Sequence, residues 1–534
     1  MGLPGDGPCY RAIQTDARVA PGRWEGGSAW PRPGVIRLEP VRTPSTSRLL
    51  PALLCALLSL TSCTRGAGAS GPSRKAVLKP CRLEVAGRQA LCGTHEVWED
   101  RAAKQGRKVP LKVVVVPALA SSPEPDPVVL LAGGPGQGAA KLAGHMVPVL
   151  ERLHRNRDLV FVDQRGTGDS RPLECEPVPH DAPLAEQFDD TYREEAYRKC
   201  LAGYDADVRL YTTPIAMDDL DEVREALGYE KLNLYGVSYG TRAALVYLRQ
   251  HPERVRTVML EGVAPMSLLL PLNVARDSQR ALDLLFTHCE QDAACAKRYP
   301  ELRGRFASLL AQLLEEPVRT RVENPLTGVP EEITLSHTTF VAVLRGVLYM
   351  PEATSLVPLV LDRATQGDWR PLVAIQQNLS GGANPNMSQG MFLSVVCTED
   401  APLISDEAIT RESKGSWLGE TMLRTMLKPC GFWPRGELPK DYREPVKSDV
   451  PVLLLSGELD PVTPPSWAEE AKRTLTNSRH VVLPGVGHGT SSIGCVRAMM
   501  ADFVDRASVE GLESKCGEGL KRPPFFTSFA GPVP

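Results

Sequence analysis

Short runs of apolar residues recur along the chain, and stretches with helical periodicity separate several of them. The runs are short enough for strands and nearly uniformly apolar, which is typical of strands buried on both faces of a sheet. They occupy residues 127–132, 159–162, 232–235, 255–260, 451–455 and 480–483. The alternation of strands and helices between 81 and 264 predicts an α/β protein whose sheet is mostly parallel, with helices on both faces.

The regular alternation stops at about residue 266 and resumes at 450. Between these points helical patterns dominate, as at 281–289 and 306–314, which predicts a mainly helical domain inserted between strands. The expected organisation is an upstream extension with a signal peptide (1–62), a flexible linker (63–80), the first part of the core (81–265), the inserted domain (266–427), the second part of the core (428–516) and a tail (517–534).

Ser238 is the centre of a G-x-S-x-G pentapeptide that lies between the apolar run 232–235 and the helical stretch 241–249. A sharp strand-to-helix turn at this motif exposes the serine oxygen, and a side chain in place of Gly236 or Gly240 would crowd the turn. We therefore expect Ser238 to be a catalytic nucleophile. The alternative is an ordinary glycine-rich turn without chemistry.

Two downstream segments supply an acid and a base in the chain order serine, acid, histidine. Asp460 follows a predicted strand at its carboxyl end, where open α/β sheets place functional groups, and His488 lies between glycines after the last short strand. This order predicts a triad in which His488 is the base and Asp460 orients it. Glu458 is a rival acid, and plain loop roles for Asp460 and His488 are the other alternative.

A glycine-rich loop, G-G-P-G-Q-G at 133–138, follows the run 127–132. Such a loop lets backbone N–H groups approach a developing negative charge closely, as an oxyanion hole requires. The second N–H group usually belongs to the residue after the nucleophile, here Tyr239. A phosphate-binding loop is disfavoured because the G-K-[ST] ending is missing and Pro135 has no N–H group.

Several of these motifs carry a family resemblance. The segments G-G-P-G at 133–136 and D-Q-R-G-T-G-D-S at 163–170 resemble the paired signatures of prolyl iminopeptidases and tripeptidyl aminopeptidases, which are serine exopeptidases of the α/β-hydrolase fold. The segments 235–242 and 457–464 resemble the tripeptidyl branch in particular. Ala132 stands where prolyl iminopeptidases usually carry histidine, which also favours the tripeptidyl branch.

The resemblance extends over roughly residues 111–516 and implies roles for further residues. It implies that the inserted domain is a cap that closes over the pocket, and that Gly134 supplies the loop N–H group of the oxyanion hole. An aminopeptidase must also hold the free α-ammonium group of its substrate, which a carboxylate can do through a charge-assisted bond. Related enzymes use cap acids for this, and Glu399 is our candidate; the alternative is that Glu399 and Asp400 are a solvated surface pair.

Arg165 and Asp169 lie in the segment 163–170, which follows the predicted strand 159–162. We expect these two residues to pair with each other and to brace the loop beside the glycine-rich loop. The segment is therefore interpreted as structural support for the site.

Together these features predict an exported serine aminopeptidase. Its substrate would be a peptide with a free N-terminus, from which it releases a short N-terminal peptide or an N-terminal residue through an acyl-enzyme. The alternative is an esterase or lipase that uses the same triad, because pocket shape alone separates the two activities. A non-catalytic surface lipoprotein is disfavoured because the predicted triad is complete.

Charge and motif content exclude other classes of function. The chain has 61 basic and 64 acidic residues and a net charge of −3, without a basic stripe of the kind that binds nucleic acid. It contains no H-E-x-x-H or C-x-x-C motif, so the sequence indicates neither a metal site nor a cofactor.

An apolar stretch at 49–60, preceded by Arg42 and Arg48, is too short to span a membrane and fits the core of a signal peptide. The L-T-S-C sequence that ends at Cys63 resembles a bacterial lipobox. It predicts a lipid anchor on Cys63 and a location in the cell envelope, facing the periplasm or on the outer membrane; a plain signal peptide and a secreted product are the alternative. The residues upstream fit no such role, so we expect translation to start near Val41.

The cysteine content supports export. Of the 13 cysteines, Cys9, Cys55 and Cys63 fall in the part predicted to be removed or lipidated, and the remaining ten suit disulfides in an oxidising compartment. Pairing of sequence neighbours gives Cys81–Cys92, Cys175–Cys200, Cys289–Cys295, Cys397–Cys430 and Cys495–Cys516, although sequence alone does not fix the connectivity. Buried free thiols are the alternative.

Overall fold

The structure, a computed structural model, describes residues 78–85, 87–179, 181–382, 387–512 and 515–532. The predicted signal peptide, the lipid site at Cys63 and most of the linker lie outside these ranges. The described residues form one compact unit, from which the inserted segment does not separate.

A mostly parallel sheet is the centre of the fold, as the sequence predicts. Among the described residues it has nine strands in the order β1-β2-β3-β5-β4-β6-β7-β10-β11, and its strands from β5 to β11 run parallel to one another. The strands are β1 (Lys79–Arg82), β2 (Gln89–Trp98), β3 (Lys108–Val116), β4 (Val128–Leu131), β5 (Leu159–Val162), β6 (Leu232–Val237), β7 (Val255–Glu261), β10 (Val452–Gly457) and β11 (Ser478–Leu483).

Helices cover both faces of this sheet and fill the inserted segment. They are α1 (Ala139–Val149), α2 (Glu151–His154), α3 (Leu184–Gln187), α4 (Glu194–Gly203), α5 (Thr213–Leu227), α6 (Tyr239–Gln250), α7 (Val274–Gln291), α8 (Ala293–Arg298), α9 (Leu302–Glu315), α10 (His337–Val347), α11 (Pro351–Thr354), α12 (Val357–Ala364), α13 (Arg370–Gly382), α14 (Gln389–Glu399), α15 (Asp406–Ser413), α16 (Gly419–Leu427), α17 (Pro465–Lys472) and α18 (Gly494–Arg506).

Successive residues of the central strands enter two different hydrophobic cores, because side chains alternate between the faces of a strand. In β10, Val452 and Leu454 pack with α5, α6 and α17, whereas Leu453 and Leu455 pack on the other face with α1 and α18. Strands buried on both sides need apolar residues at every position, which explains the uniform runs in the sequence.

The segment between β7 and β10 is mainly helical, as predicted, and has a core of its own. Phe306 is central to this core, with ring centroids 5.4 Å from Phe286 and 6.0 Å from Trp417. The segment also contains an antiparallel hairpin that the sequence analysis missed, formed by β8 (Val318–Glu323) and β9 (Pro330–Leu335). Its residues are largely exposed, so the hairpin lacks the apolar runs that mark the central strands.

The C-terminal tail packs against the cap. Phe525 is buried in the cap core, and the Phe526 N–H group donates to the Ser355 carbonyl over 3.0 Å. The Arg522 guanidinium donates to Thr354 Oγ1 over 3.2 Å. The tail thus connects the core, which it leaves after α18, to the segment around α11.

The five disulfides that neighbour pairing predicts are all present in the described part of the chain: Cys81–Cys92, Cys175–Cys200, Cys289–Cys295, Cys397–Cys430 and Cys495–Cys516. This pairing is therefore confirmed, and it is typical of proteins that fold in an oxidising compartment. Of the helices in the described ranges, none combines the length and the apolar character that crossing a membrane requires.

We expect Gly240→Ala to destabilise the protein and Gly304→Ala to stabilise it. A Cβ atom at Gly240 would collide with the carbonyl oxygen of Leu131, and overpacking of this kind costs about 1–3 kcal/mol or more. Gly304 lies in open space on α9, where alanine is favoured over glycine by about 0.5–1 kcal/mol. Urea unfolding of both variants measures the two effects, and equal stabilities would contradict the predicted packing.

Candidate active site

Four of the predicted site residues follow the carboxyl ends of parallel strands. Gly134 follows β4, Ser238 follows β6, Asp460 follows β10 and His488 follows β11. Since these strands are near neighbours in the sheet, their ends meet along one edge.

Ser238 occupies a strained turn between β6 and α6. Its backbone has φ 57° and ψ −125°, a conformation that non-glycine residues rarely adopt and that costs on the order of 1–3 kcal/mol. The turn is held because the Ser238 N–H group donates to the Glu261 carbonyl over 2.8 Å. A Cβ atom at Gly236 would collide with the carbonyl of Gly240, so the close approach of strand and helix requires glycine there. This is the turn that the G-x-S-x-G motif predicts.

His488 and Asp460 form a buried pair. His488 Nδ1 lies 2.8 Å from Asp460 Oδ2, and the Asp460 side chain is fully buried. A carboxylate can only accept, so this bond places the proton on Nδ1 and leaves Nε2 free to accept a proton. The other carboxylate oxygen, Oδ1, accepts the N–H groups of Val462 and Thr463, each over 2.8 Å. Asp460 is therefore fixed from both sides.

The two groups shift each other's pKa. Burial opposes protonation of His488, but the charge and hydrogen bond of Asp460 outweigh it, and the pKa of His488 is raised above its usual value. Burial alone would raise the pKa of Asp460, but His488 and the bonds at Thr463 and Val462 bring it below its usual value. Asp460 thus remains a carboxylate over the range in which His488 titrates.

The His488 ring lies against the end of β7. A Cβ atom built on Gly262 would lie 3.2 Å from His488 Cε1, and Gly262 directly follows Glu261, to which the Ser238 N–H group is bonded. Within the described residues Ser238 Oγ forms no hydrogen bond to His488. Bonds of this type are often long before substrate binds and shorten in the complex.

Thr463 and Tyr349 also contact His488, and the sequence analysis identified neither. Thr463 Oγ1 donates to Asp460 Oδ2 over 2.8 Å and lies 3.2 Å from His488 Nδ1. The Tyr349 carbonyl accepts the His488 N–H group over 3.3 Å, and the two rings pack edge to face at 5.3 Å. Thr463 lies three residues after Asp460, a spacing that could have indicated it, whereas Tyr349 lies in the cap, far away in sequence.

Glu261 supports the loop that follows His488. Its buried carboxylate accepts the N–H groups of Thr490 and Ser491, the latter over 2.8 Å, and the hydroxyl of Tyr235. The sequence analysis did not identify Glu261, because a single acid at the end of an apolar strand carries no motif.

The two predicted donors of the oxyanion hole line the same cavity as Ser238. Tyr239 is the first residue of α6, so its N–H group has no partner within the helix. Gly134 adopts φ 106°, which only glycine tolerates readily. Both residues thus line the cavity at Ser238, and their role as donors of an oxyanion hole stays a prediction.

The loop 163–170 is braced differently from the predicted Arg165–Asp169 pair, which is wrong. Arg165 is fully buried and makes two bonds to Asp219, of 2.6 and 2.9 Å. Asp169 pairs with Lys141 at 2.7 Å instead. Arg165 points into the protein because the buried carboxylate of Asp219, on α5, accepts both of these bonds. The loop is still interpreted as structural support for the site.

Glu399 lies at the end of α14 and is buried rather than on the surface. It accepts the Thr213 N–H group over 2.7 Å, the Thr213 hydroxyl over 3.0 Å, and the hydroxyl of Tyr442. Burial raises the pKa of the Glu399 carboxyl, which Arg242 and the Tyr442 hydroxyl oppose. Glu399 does not line the cavity at Ser238, and its role in binding an ammonium group stays a prediction.

A cavity of about 250 Å³ lies over Ser238. Tyr349 and Thr463 line it, and so does Arg345 of the cap. Its apolar wall is formed by Ala264, Leu268, Leu270, Phe392, Met426 and Val462, among others. Neither aspartate nor glutamate occurs in the part of this wall that the structure describes.

The fold and the site geometry define a serine hydrolase of the α/β-hydrolase class. Comparison with known proteins agrees: the profile described as alpha/beta hydrolase fold matches residues 126–326, and the profile described as TAP-like protein matches residues 415–516. The first match contains Ser238, and the second contains Asp460 and His488.

Three relatives show which hydrolases of this class the chain is similar to. The chain is 27% identical over 461 residues to serine protease Hip1 of Mycobacterium tuberculosis, a match that covers 77% of this chain and 86% of the relative. It is 26% identical over 462 residues to the tripeptidyl aminopeptidase of Streptomyces lividans, covering 79% of this chain and 81% of the relative. A proline iminopeptidase of Neisseria meningitidis is 32% identical over 143 residues, covering 27% of this chain and 34% of the relative. Together these matches support the α/β-hydrolase peptidase family, which confirms the resemblance seen in the sequence.

The activity is expected to fall as the pH drops through the raised pKa of His488. The proposed base must be neutral to act, so the acid limb of kcat/KM should have its midpoint above 6.5, the ordinary value for histidine. Asp460→Asn removes the charge that raises the pKa, so the midpoint should move down while kcat falls by roughly 10³–10⁴. A pH–rate profile with an uncharged ester measures both. A wild-type midpoint at or below 6.5 would contradict the coupling.

Thr463→Val is expected to lower kcat by roughly 10- to 100-fold, because it removes a buried hydrogen bond to the charged carboxylate of Asp460. Thr463→Ser keeps the hydroxyl and should retain most of the activity. Steady-state kinetics of the two variants, with thermal unfolding as a check on the fold, test the role of this hydroxyl. Equal rates for valine and serine would show that packing alone matters at this position.

Proposed function

We propose that the protein is an exported serine aminopeptidase that releases short N-terminal peptides through a Ser238–His488–Asp460 triad. The observation that carries this proposal is the His488–Asp460 pair, held against the end of the strand to which the strained Ser238 turn is bonded. A serine forced into such a turn, beside a histidine with a free Nε2, is suited to acyl transfer.

Each step follows from the chemistry of these groups. Ser238 Oγ attacks the scissile carbonyl as His488 takes its proton, and Asp460 stabilises the imidazolium that results. The N–H groups of Gly134 and Tyr239 bind the oxyanion. His488 then gives the proton to the leaving amine, and the acyl group stays on Ser238. A water molecule attacks this acyl-enzyme with His488 again acting as the base. His488 takes a proton from this water and gives it to Ser238 Oγ as the bond to the acyl group breaks, which restores the free serine.

The names of the relatives favour a peptide substrate. Two of them are called serine protease and tripeptidyl aminopeptidase, and each match extends over more than three quarters of this chain. The TAP-like match includes both the acid and the base of the proposed triad. We therefore assign the tripeptidyl type of cleavage, with Glu399 as the proposed acid for the substrate ammonium.

One observation favours an esterase as a second candidate. The described wall of the cavity is largely apolar and has no carboxylate that could hold an ammonium group, and Glu399 is engaged by Thr213 and Tyr442. Ester cleavage needs the same triad but no ammonium site.

Export is part of the proposal. The five disulfides of the described residues suit an oxidising compartment. We further propose that Cys63 carries a lipid that anchors the enzyme to the cell envelope. Mass spectrometry of the protein from its host would detect the lipidated cysteine as the new N-terminus.

The substrate class is tested with four compounds and the purified protein. They are a tripeptide anilide with a free amino group, its N-acetylated form, a proline anilide and a short-chain ester. We expect rapid cleavage of the free tripeptide and little of its acetylated form, because the aminopeptidase must bind the ammonium group. Ser238→Ala should lower kcat by several orders of magnitude while the thermal unfolding temperature stays similar.

The other outcomes discriminate between the candidates. Preference for the proline anilide would indicate an iminopeptidase. Equal cleavage of the free and acetylated peptides would contradict the proposed binding of the substrate ammonium group. Turnover of the ester alone would replace the peptidase by the esterase.

A further inference from the structure

Arg345 is a cation in the wall of the catalytic cavity. It lies on α10 of the cap and lines the cavity together with Ser238. Its Nη2 group donates to Tyr349 Oη over 2.9 Å, whereas its Nε atom is buried without a hydrogen-bond partner. In the described part of the chain, Arg345 has no carboxylate within ion-pair distance.

The second arginine of the cavity shows the contrast. Arg242 is fully buried, pairs with Asp400 at 3.0 Å and donates to the Leu268 carbonyl over 2.6 Å. Its charge is therefore neutralised within the protein. The described wall contains two charged residues, Arg242 and Arg345, and no acid. Of these two, only Arg345 lacks a counterion among the described residues.

A partly buried guanidinium with unused donors is costly unless an anion joins it. Its planar fork matches a carboxylate, to which it can make two parallel bonds. The ligand that this position suits is therefore a carboxylate of the substrate.

Arg345 lies near the proposed catalytic base. The ring of Tyr349 contacts both residues: its centroid is 5.5 Å from Arg345 Cζ and 5.3 Å from the centroid of the His488 ring. In the proposed reaction His488 gives its proton to the leaving amine, so the leaving part of the substrate is near this base. The guanidinium is at most about 11 Å from the His488 ring, a span that about three extended residues cover.

We propose that Arg345 is a specificity-determining residue that binds a carboxylate in the leaving part of the substrate, within three residues of the scissile bond. This inference rests on the proposed peptidase function. It defines the substrate class as peptides whose released C-terminal part is short, so that its terminal carboxylate reaches Arg345, or acidic near the cleavage site.

The test compares matched peptides that share a free N-terminal tripeptide. One pair has two further alanines and ends in a free carboxylate or in an amide, and a second, amidated pair carries glutamate or glutamine at the second leaving position. We expect the wild-type protein to prefer the carboxylate in at least one pair by roughly 10- to 100-fold in kcat/KM. The pair that shows the preference identifies the source of the carboxylate.

Arg345→Gln should abolish that preference, so that this variant cleaves both members of the pair with a similar kcat/KM. The matched control is Arg411→Gln, which removes the same charge from an exposed position on α15 and should keep the preference. An unchanged preference in Arg345→Gln, or equal rates of the wild-type protein on both members of each pair, would overturn the proposal.

A failure of the peptidase function would look different, because no peptide would be cleaved while a simple ester would be. In that case 4-acetoxybenzoate and its amide provide the same comparison on an ester leaving group. A wild-type preference for the carboxylate that Arg345→Gln removes would support the role of Arg345, and its absence would overturn that role.

Discussion

Glu261 is the residue through which the parts of the candidate site are held together. Its carbonyl accepts the N–H group of Ser238, and its carboxylate accepts the N–H groups of Thr490 and Ser491, which follow His488. One buried residue at the end of β7 thus fixes the backbone on both sides of the proton transfer. The strain at Ser238 persists because such surroundings determine its conformation.

The fold could be predicted from the sequence wherever the signal is local. Strands buried on both faces leave uniform apolar runs, the turn at Ser238 requires glycines at fixed spacing, and each disulfide joins cysteines that are neighbours in the cysteine order. Ser238, Asp460 and His488 could be proposed from the sequence because each follows such a run. The hairpin of β8 and β9 was missed because its strands bury only alternate residues, such as Val322 and Ile333, and so leave no uniform apolar run.

The features of the site that could not be predicted from the sequence are contacts between segments that are far apart in the chain. Arg165 pairs with Asp219 on α5 instead of its neighbour Asp169, and Tyr349 reaches His488 from the cap. Glu399, predicted to bind the substrate ammonium group, is buried instead of forming the surface pair given as the alternative, and Thr213 and Tyr442 satisfy its oxygens. Burial and partner choice are set by the tertiary structure, and no spacing rule encodes them.

The C-terminal tail has a consequence for how the two sides of the candidate site are coupled. A Cβ atom at Gly485, in the loop before His488, would collide with the backbone of Arg522, and the side chain of Arg522 reaches Thr354 just beyond Tyr349. The tail therefore fastens together the two loops that meet at His488. Because a single segment holds both loops, a displacement of the tail would reach the catalytic base and the pocket roof at the same time.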